Sequence, residues 1–347
     1  MTTANPSGRA AAQSNSQKPN KLIRAATRAG YLLPVIDVTD PRFTVPDDPD
    51  SLRRLLDAST EEERRNRRMP KFIMRWMLKS AAKRSLLLRA VTGANAAFLD
   101  GMSTYVMKLG ADNLPPPYDS PMDRRVAASP HLVLLRLRTQ QVARLIADAL
   151  VAELAGAKTA PLHLINIAGG PAIDSMNSLI MLNRRHGELL QRQIVIHVLD
   201  PDEAGPFFGK NALAALMTEG GPLAGLDIVF DHRSYDWDTS AALELLVRDL
   251  AASGAVIAAS SEGGLFEYGS NQAIVANLET LRGGCAALIA GSVTSDDEAR
   301  RRLITTSRFK LIPRGLLGFA PLAARGGYRI AQAETAQLSD QVLLRPA

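Results

Sequence analysis

The second half of the chain alternates short apolar blocks with helix-like patterns. Continuous apolar blocks predict strands buried on both faces of a parallel sheet at 162–168, 194–200, 226–231, 254–260 and 285–293. Apolar residues at helical spacing follow these blocks at 174–186, 208–217, 239–252, 271–281 and 296–305. We expect a sixth strand at 308–313 and a seventh within 327–334 or 341–346. The pattern predicts a seven-stranded, mostly parallel, doubly wound α/β sheet.

Helical patterns prevail in the first half of the chain. We expect a helix that starts at Ser51, a docking strand within 32–38, and further helices at 70–91, 94–109 and 130–154. The first residues are rich in Ala, Ser, Asn and Gln and offer little to bury, which predicts a disordered tail. The sequence therefore divides into a tail (1–20), a mainly helical cap or substrate region (21–156) and an α/β domain (157–347).

Positive charge is concentrated around the predicted helix 70–91. The chain has a formal net charge of +6, and ten Lys or Arg but no Asp or Glu lie between Arg64 and Arg89. The apolar side of the helix is formed by Phe72, Ile73, Trp76 and Met77. One interpretation is a surface for a membrane or another anionic partner. The interpretation that the sequence favours is a solvated basic face whose apolar side packs on the rest of the protein. Nucleic acid is not favoured as a partner, because the run lacks interleaved aromatics and a reading motif.

Composition limits the class of protein. With 347 residues, 46% of them apolar, the chain can bury a large core. Its single cysteine, Cys285, excludes an intramolecular disulfide, and the apolar run around it predicts a buried thiol. We see no signal-peptide pattern and no apolar segment of about 20 residues, so we expect a soluble, cytoplasmic protein. The five histidines are far apart in sequence and lack metal-ligand spacing, so no metal site is predicted.

A glycine turn follows the first strand of the predicted sheet. Gly169 and Gly170 precede Pro171, which suits the first turn of a helix. A strand, a glycine turn and a helix N-terminus together form a nucleotide-sized binding corner. A dinucleotide GxGxxG motif would require glycine at Ala168 and Ile173, and no GK[ST] of a P-loop follows.

The same stretch resembles the first motif of class I S-adenosylmethionine-dependent methyltransferases, an acidic residue followed by GxGxG or GxGPG after the first strand. Asn166 stands at the acidic position, Ala168 and Ala172 stand at the outer glycines, and Gly170 and Pro171 match. Alanine replaces glycine without strain only where φ is negative. The resemblance covers about 161–347 and implies a Rossmann-like sheet. It also implies that S-adenosylmethionine is bound by Asn166, Ala168, Gly169, Gly170 and Pro171.

Asp200 and Pro201 close the second predicted strand. The resemblance implies that an acid here accepts hydrogen bonds from the ribose hydroxyls of the cofactor, an interaction that dinucleotide folds also use. Asp202 and Glu203 are close competitors for this role. In the alternative interpretation Asp200 caps the following turn.

The third strand runs into a polar and aromatic segment, 231–237. The resemblance implies contacts to the adenine or methionine part of the cofactor, with an aromatic ring available for stacking, from Asp231, Tyr235, Asp236 and Trp237. His232 is a candidate general base, because imidazole titrates near neutral pH. The alternative is that His232 pairs structurally with Asp231 and that Trp237 anchors the next helix.

The segment after the fourth strand carries Glu262, Glu267 and Tyr268, at the place where members of this family commonly meet the methyl acceptor. If the acceptor needs a base, the candidates are His232, Glu262 and Tyr268. The alternative is a long glycine-containing turn whose Phe266 packs under a lid.

These expectations describe an S-adenosylmethionine-dependent methyltransferase that holds a small-molecule or lipid-like acceptor in line with the sulfonium methyl group. An NAD(P)-dependent oxidoreductase on the same sheet is one alternative, although the glycine fingerprint does not match it. The other is a non-catalytic, Rossmann-like ligand-binding or scaffold protein whose altered glycine motif no longer holds a cofactor. The sequence does not indicate the oligomeric state.

Overall fold

The structure is a computed structural model that describes residues 22–92, 101–298, 300–301 and 310–347. The described chain begins with two short antiparallel strands, β1 (Arg24–Ala26) and β2 (Leu32–Pro34). The helices that follow are α1 (Pro49–Arg68), α2 (Lys71–Ala82), α3 (Leu86–Thr92), α4 (Gly101–Met107), α5 (Pro121–Ala127) and α6 (Pro130–Gly156). The start of the predicted helix 94–109 falls outside the described residues, and α4 is its described part.

The prediction of one helix over 70–91 was wrong, because α2 ends at Ala82 and α3 begins at Leu86. Ser85 marks the break. Its hydroxyl accepts a hydrogen bond from the Leu88 amide at 3.0 Å, as an N-cap does, and donates to Asp123 at 2.6 Å. The carboxylate of Asp123 also accepts from the Leu87 amide. These bonds satisfy the start of a new helix and so favour it over continuation of α2.

The second half of the chain alternates strands with helices. The strands are β3 (Leu162–Ile167), β4 (Ile194–Leu199), β5 (Ile228–Arg233), β6 (Val256–Ser261), β7 (Leu288–Thr294), β8 (Tyr328–Thr335) and β9 (Ser339–Pro346). The helices are α7 (Ile173–His186), α8 (Ala204–Leu216), α9 (Ala241–Ala252), α10 (Leu265–Tyr268), α11 (Asn271–Gly283) and α12 (Gly315–Arg325).

The sheet has the order β5-β4-β3-β6-β7-β9-β8. The pairs β3–β4, β4–β5, β3–β6 and β6–β7 are parallel, and β9 runs antiparallel to both β7 and β8. The predicted fold class, a seven-stranded, mostly parallel, Rossmann-like sheet with a mainly helical N-terminal region, is confirmed.

The prediction of a sixth strand at 308–313 was wrong for its described part, 310–313, which is not a strand. Single backbone bonds hold this stretch, from Ile312 to Glu267 and from Arg314 to Thr294, rather than a ladder. Both segments proposed for the seventh strand are strands, β8 and β9, and together they complete the sheet. Half of the helix predicted at 296–305 lies outside the described residues, and 298, 300 and 301 are helical in the described half.

Two apolar cores lie on the two faces of the sheet. Alternate side chains of β3 point to opposite cores, Leu162 and Leu164 to one, Ile165 and Ile167 to the other. The first core also contains buried residues of the N-terminal region, among them Tyr105 of α4 and Ile146 of α6. That region is therefore packed directly on the sheet and contributes to the surroundings of its strand ends.

Two expectations about burial were wrong. Cys285 is exposed, because it lies in the turn between α11 and β7 with φ of 60° rather than inside the strand. The apolar side of α2 is also exposed, with Phe72 at 73% and Trp76 at 70% of their full accessible surface. The interpretation in which this side packs on the rest of the protein therefore does not hold. Among the described residues, no helix is long and apolar enough to cross a bilayer.

Candidate functional site

The order of strands reverses between β3 and β6, which places the expected ligand crevice at the carboxyl ends of the central strands. The glycine turn lies at this point. Its backbone adopts left-handed φ at alternate residues, 55° at Ala168, 54° at Gly170 and 55° at Ala172. Alanine tolerates this region poorly, so the condition of negative φ at the two alanines is not met. The turn keeps a glycine-like conformation without the outer glycines.

The space that Gly170 leaves open is filled by other parts of the protein. A Cβ built on Gly170 would lie 3.0 Å from the Cα of Gly101 in α4, and one on Gly205 in α8 would lie 2.9 Å from the Cα of Gly170. Three backbones therefore meet at glycines. The close approach that glycine permits here serves the packing of α4 and α8 on the turn.

Asn166 and Asp174 form a buried polar pair beneath the turn. The Asn166 amide nitrogen Nδ2 donates to Asp174 Oδ1 at 2.7 Å and to Ser260 Oγ at 3.0 Å. An acid at position 166 would oppose the carboxylate of Asp174, which explains why an amide suits this site. Burial, together with the charge of Glu262, raises the pKa of Asp174 to about 6. Asn166 Oδ1 and Asp174 Oδ2 are buried and find no hydrogen-bond partner among the described residues.

Asp200 joins the ends of β3 and β4. Its Oδ2 accepts a hydrogen bond from the Gly170 amide at 2.9 Å, and its Oδ1 accepts from the Asp202 amide at 2.9 Å. Burial raises the pKa of Asp200, opposed by these two bonds. The bond to the Asp202 amide is the contact expected if Asp200 caps the following turn. Each carboxylate oxygen also keeps a lone pair that can accept a ligand hydroxyl. Pro201, the next residue, is exposed.

His232 lies beside Asp200, since its Nε2 donates to the Asp200 carbonyl at 2.9 Å. Because a carbonyl oxygen only accepts, this bond assigns a proton to Nε2. The expected pairing of His232 with Asp231 is therefore replaced by a backbone contact.

Asp231 faces a different group of residues. Its Oδ2 accepts from His197 Nδ1 at 3.0 Å and from Arg233 Nε at 2.9 Å, and His197 Nε2 lies 2.9 Å from His163 Nδ1. Burial would raise the pKa of Asp231, but the bonds from His197 and Arg233 outweigh it and lower that pKa. The Oδ2 atom of Asp231 therefore belongs to a polar row across β3, β4 and β5, and its role as a cofactor ligand stays a prediction.

Tyr235, Asp236 and Trp237 form the turn after β5. Tyr235 is buried in the second core and donates to Asn277 Oδ1 at 2.6 Å, so its ring is not free to stack on a ligand, and that prediction was wrong. Asp236 is exposed and its Oδ1 accepts from the Asp238 amide. Trp237 packs partly buried on the same core, and its carbonyl accepts from Asn277. This agrees with an anchoring role for Trp237.

A buried ion cluster closes the end of β6. Glu262 accepts hydrogen bonds from Lys108 of the N-terminal region and from Arg138 Nε of α6, and Arg138 Nη1 reaches Glu267 at 3.1 Å. Burial would raise the pKa of Glu262, but the charges of Arg138 and Lys108 prevail and lower it to about 2. A carboxylate so held is a weak proton acceptor, which contradicts its prediction as a general base.

Tyr268 closes α10 beside this cluster. Burial raises the pKa of its hydroxyl, with the charge of Glu267 acting in the same direction. Of the predicted bases, Glu262 is held in buried ion pairs, whereas His232 bonds through Nε2 to a backbone carbonyl.

Several solved structures are similar to this chain. The chain is similar to a "possible exported protein" from Bordetella parapertussis, with a TM-score of 0.51 and 14% identity over 87% of this chain and 100% of that one. It is also similar to the pyocyanin biosynthetic protein PhzM (TM-score 0.41, 13% identity, 87% and 74% covered). A third is the dimethyltransferase RosA from Streptomyces davawensis (TM-score 0.37, 14% identity, 76% and 70% covered). No protein-family model and no curated protein matches the sequence. At such identities these likenesses concern the fold.

Sequence reasoning missed Lys108 and Arg138. A signal for Arg138 existed, because it lies at helical spacing between Leu134 and Val142, within the apolar side of α6. A charge on a core-facing side requires a buried partner. The contact between His163 and His197 was also missed, since it joins neighbouring strands of the sheet rather than neighbouring positions in sequence.

Proposed function

We propose that this protein is an S-adenosylmethionine-dependent methyltransferase that acts on a small-molecule or lipid-like acceptor. The observation that carries the proposal is the bond between the Asp200 carboxylate and the Gly170 amide at the switch point of the sheet. It brings an acid and a glycine turn to one place, as recognition of a nucleoside requires.

The carboxylate of Asp200 has the chemistry to bind the ribose of the cofactor. Its two oxygens would accept the ribose hydroxyls, while the buried Asn166 keeps the turn in place through Asp174 and Ser260. The face of Gly170 is occupied by Gly101, so we assign no ligand contact to it. When bound, S-adenosylmethionine would supply the activated methyl group.

The protein's own residues would contribute to the reaction mainly by positioning the cofactor and the acceptor. If the acceptor carries a proton, His232 would take it at Nδ1, while its Nε2 stays bonded to the Asp200 carbonyl. Asp200 would therefore bond to the base through its backbone carbonyl and to the ribose through its side chain.

A non-catalytic ligand-binding or scaffold role is the second candidate. It is favoured by the contact of Gly101 with Gly170 and by the ion pairs of Glu262, which fill two of the strand ends with protein.

Titration calorimetry of the full chain with S-adenosylmethionine, S-adenosylhomocysteine and NADPH separates these functions. We expect both sulfur ligands to bind, and Asp200→Ala to weaken binding by about 10- to 100-fold, the effect of losing hydrogen bonds to a charged group. Glu219→Ala is the control, because this carboxylate is exposed in the turn after α8. Failure of the folded wild-type chain to bind either sulfur ligand would contradict the proposal and favour the scaffold role. Binding of NADPH alone would indicate an oxidoreductase.

A further inference from the structure

Helix α2 presents large apolar side chains to solvent. Phe72 and Trp76 are one helical turn apart, as are Ile73 and Met77, so the four share one side of the helix. All four side chains are exposed. Phe72 and Trp76 keep 73% and 70% of their full accessible surface, and Ile73 and Met77 keep 37% and 47%. A group of exposed apolar residues on one helix indicates an interaction surface, whereas scattered single residues do not.

The surroundings of these four residues are strongly basic. Exposed cations on α1, α2 and α3 and in the turn between α2 and α3 are Arg64, Arg65, Arg68, Lys79, Lys83, Arg84 and Arg89. No Asp or Glu occurs between Arg64 and Arg89. Lys79 lies about one turn beyond Trp76 on the same side of α2, and Lys83 is the residue directly after the helix. An aromatic pair with neighbouring lysines is typical of helices that lie in the interface of a bilayer, where the rings enter the headgroup region and the ammonium groups meet lipid phosphates.

Two other occupants of this surface fit its chemistry less well. Residues 1–21 contain one large apolar residue, Met1, and their charges are positive, so they offer neither cover nor counter-charge. A second copy of the chain, joined through the same surface about a two-fold axis, would place two cationic clusters against each other. Anionic lipid supplies both the apolar layer and the negative charge that this surface lacks.

We propose that α2, with the cations beside it, binds the surface of an anionic phospholipid bilayer, with Phe72 and Trp76 inserted between headgroups. The protein would then be peripherally attached, because adsorption needs neither a spanning helix nor a lipid anchor. The proposal is independent of the proposed function, since it concerns a surface built from α1, α2 and α3 and not the strand ends.

Vesicle flotation with the full chain tests the proposal. We expect binding to vesicles of phosphatidylcholine and phosphatidylglycerol (3:1) to exceed binding to phosphatidylcholine alone by at least about tenfold, and to weaken at 0.5 M salt. Phe72→Ser with Trp76→Ser should lower binding by at least about tenfold. The matched control is Leu317→Ser on α12, which removes an apolar side chain that is 94% exposed elsewhere. Lys79→Glu with Lys83→Glu should also lower binding, and Arg248→Glu on α9, an exposed cation, should not.

Tryptophan fluorescence reports insertion directly, because Trp76 and Trp237 are the two tryptophans of the chain. We expect a blue shift on adding anionic vesicles to the wild type and no shift in Trp76→Phe, where Trp237 alone emits. Equal binding by the wild type and by the Phe72 and Trp76 double variant would overturn the proposal. So would a concentration-dependent dimer in sedimentation velocity that this double variant abolishes, together with no vesicle binding, since a second copy would then be the occupant.

Discussion

Replacement of Glu262 by Gln tests whether the end of β6 is built for stability. The substitution keeps the shape of the side chain but removes the charge that Lys108 and Arg138 share. Breaking a buried ion pair from one side costs about 3–5 kcal/mol, because the partner charge stays buried without compensation. Arg138 retains Glu267, so Lys108 is the group left alone, and we expect the lower end, about 3 kcal/mol of the free energy of unfolding.

A double-mutant cycle in urea measures this cost. Lys108→Met removes the stranded cation, so Lys108→Met with Glu262→Gln should lose less than the sum of the single variants, with a coupling of about 2 kcal/mol. Raising the pH from 7 to 9 should lessen the cost of Glu262→Gln, because burial lowers the pKa of Lys108 and the lone ammonium can then lose its proton. Glu279→Gln, at an exposed position of α11, should change stability by less than about 0.5 kcal/mol. Additive single costs, or a loss below about 1 kcal/mol for Glu262→Gln, would refute the reasoning.

Two further changes test the glycine turn and the histidine row. Ala168→Gly should raise the free energy of unfolding in urea by about 1 kcal/mol, since it relieves a φ of 55°, whereas Ala251→Gly inside α9 should lower it by about 1 kcal/mol. A loss in both variants would show that the turn carries no strain. Burial, with His197 beside it, lowers the pKa of His163 to about 4, below the 6.5 of an unfolded histidine. The folded state therefore binds fewer protons, and stability is lost as pH falls through 6.5 towards 4, by about 2 kcal/mol between pH 7 and pH 5. His163→Gln should remove that part of the loss in urea titrations at the two pH values; an unchanged loss would contradict it.

The fold was predictable where burial alone determines the pattern. The strands β3, β4, β6 and β7 are covered on both faces, so their apolar blocks stand out from the helices between them, whereas the edge strand β5 leaves Val229 exposed. The prediction failed at 310–313, the described part of the expected sixth strand, where Ile312 bonds to Glu267 and the adjoining Arg314 bonds to Thr294 instead of forming a ladder. It failed again at Ser85, whose capping bonds with Leu88 and Asp123 depend on a residue 38 positions away. Apolar periodicity does not contain such contacts.

The location of the site was predictable from the sequence, whereas the contacts of its side chains were less so. Strand ends identified Asp200 and the glycine turn, and the structure joins the two by a hydrogen bond. The stacking role assigned to Tyr235 failed, because its hydroxyl bonds to Asn277 of α11, and the sequence did not predict the bond of Asp231 to His197 of β4, since neither partner is near in sequence. Position relative to a strand end fixes the neighbourhood of a residue, whereas the direction of its side chain is set by long-range partners.

The departures from the methyltransferase motif are linked to one another by packing. An amide at Asn166 is needed because Asp174 lies 2.7 Å away, and the pKa of Asp174 is raised by burial first and then by the charge of Glu262. Gly170 keeps its glycine because Gly101 lies against it, which ties the turn to the N-terminal region. A ligand that bonds to Asp200 would therefore meet a turn that the Asn166–Asp174 bond and the contact with Gly101 already hold in place. Binding would then cost little conformational entropy. Binding by such a site should change the heat capacity and the far-ultraviolet circular dichroism little. A large change in either on titration with S-adenosylhomocysteine would mean that the contact between Gly101 and Gly170 opens first.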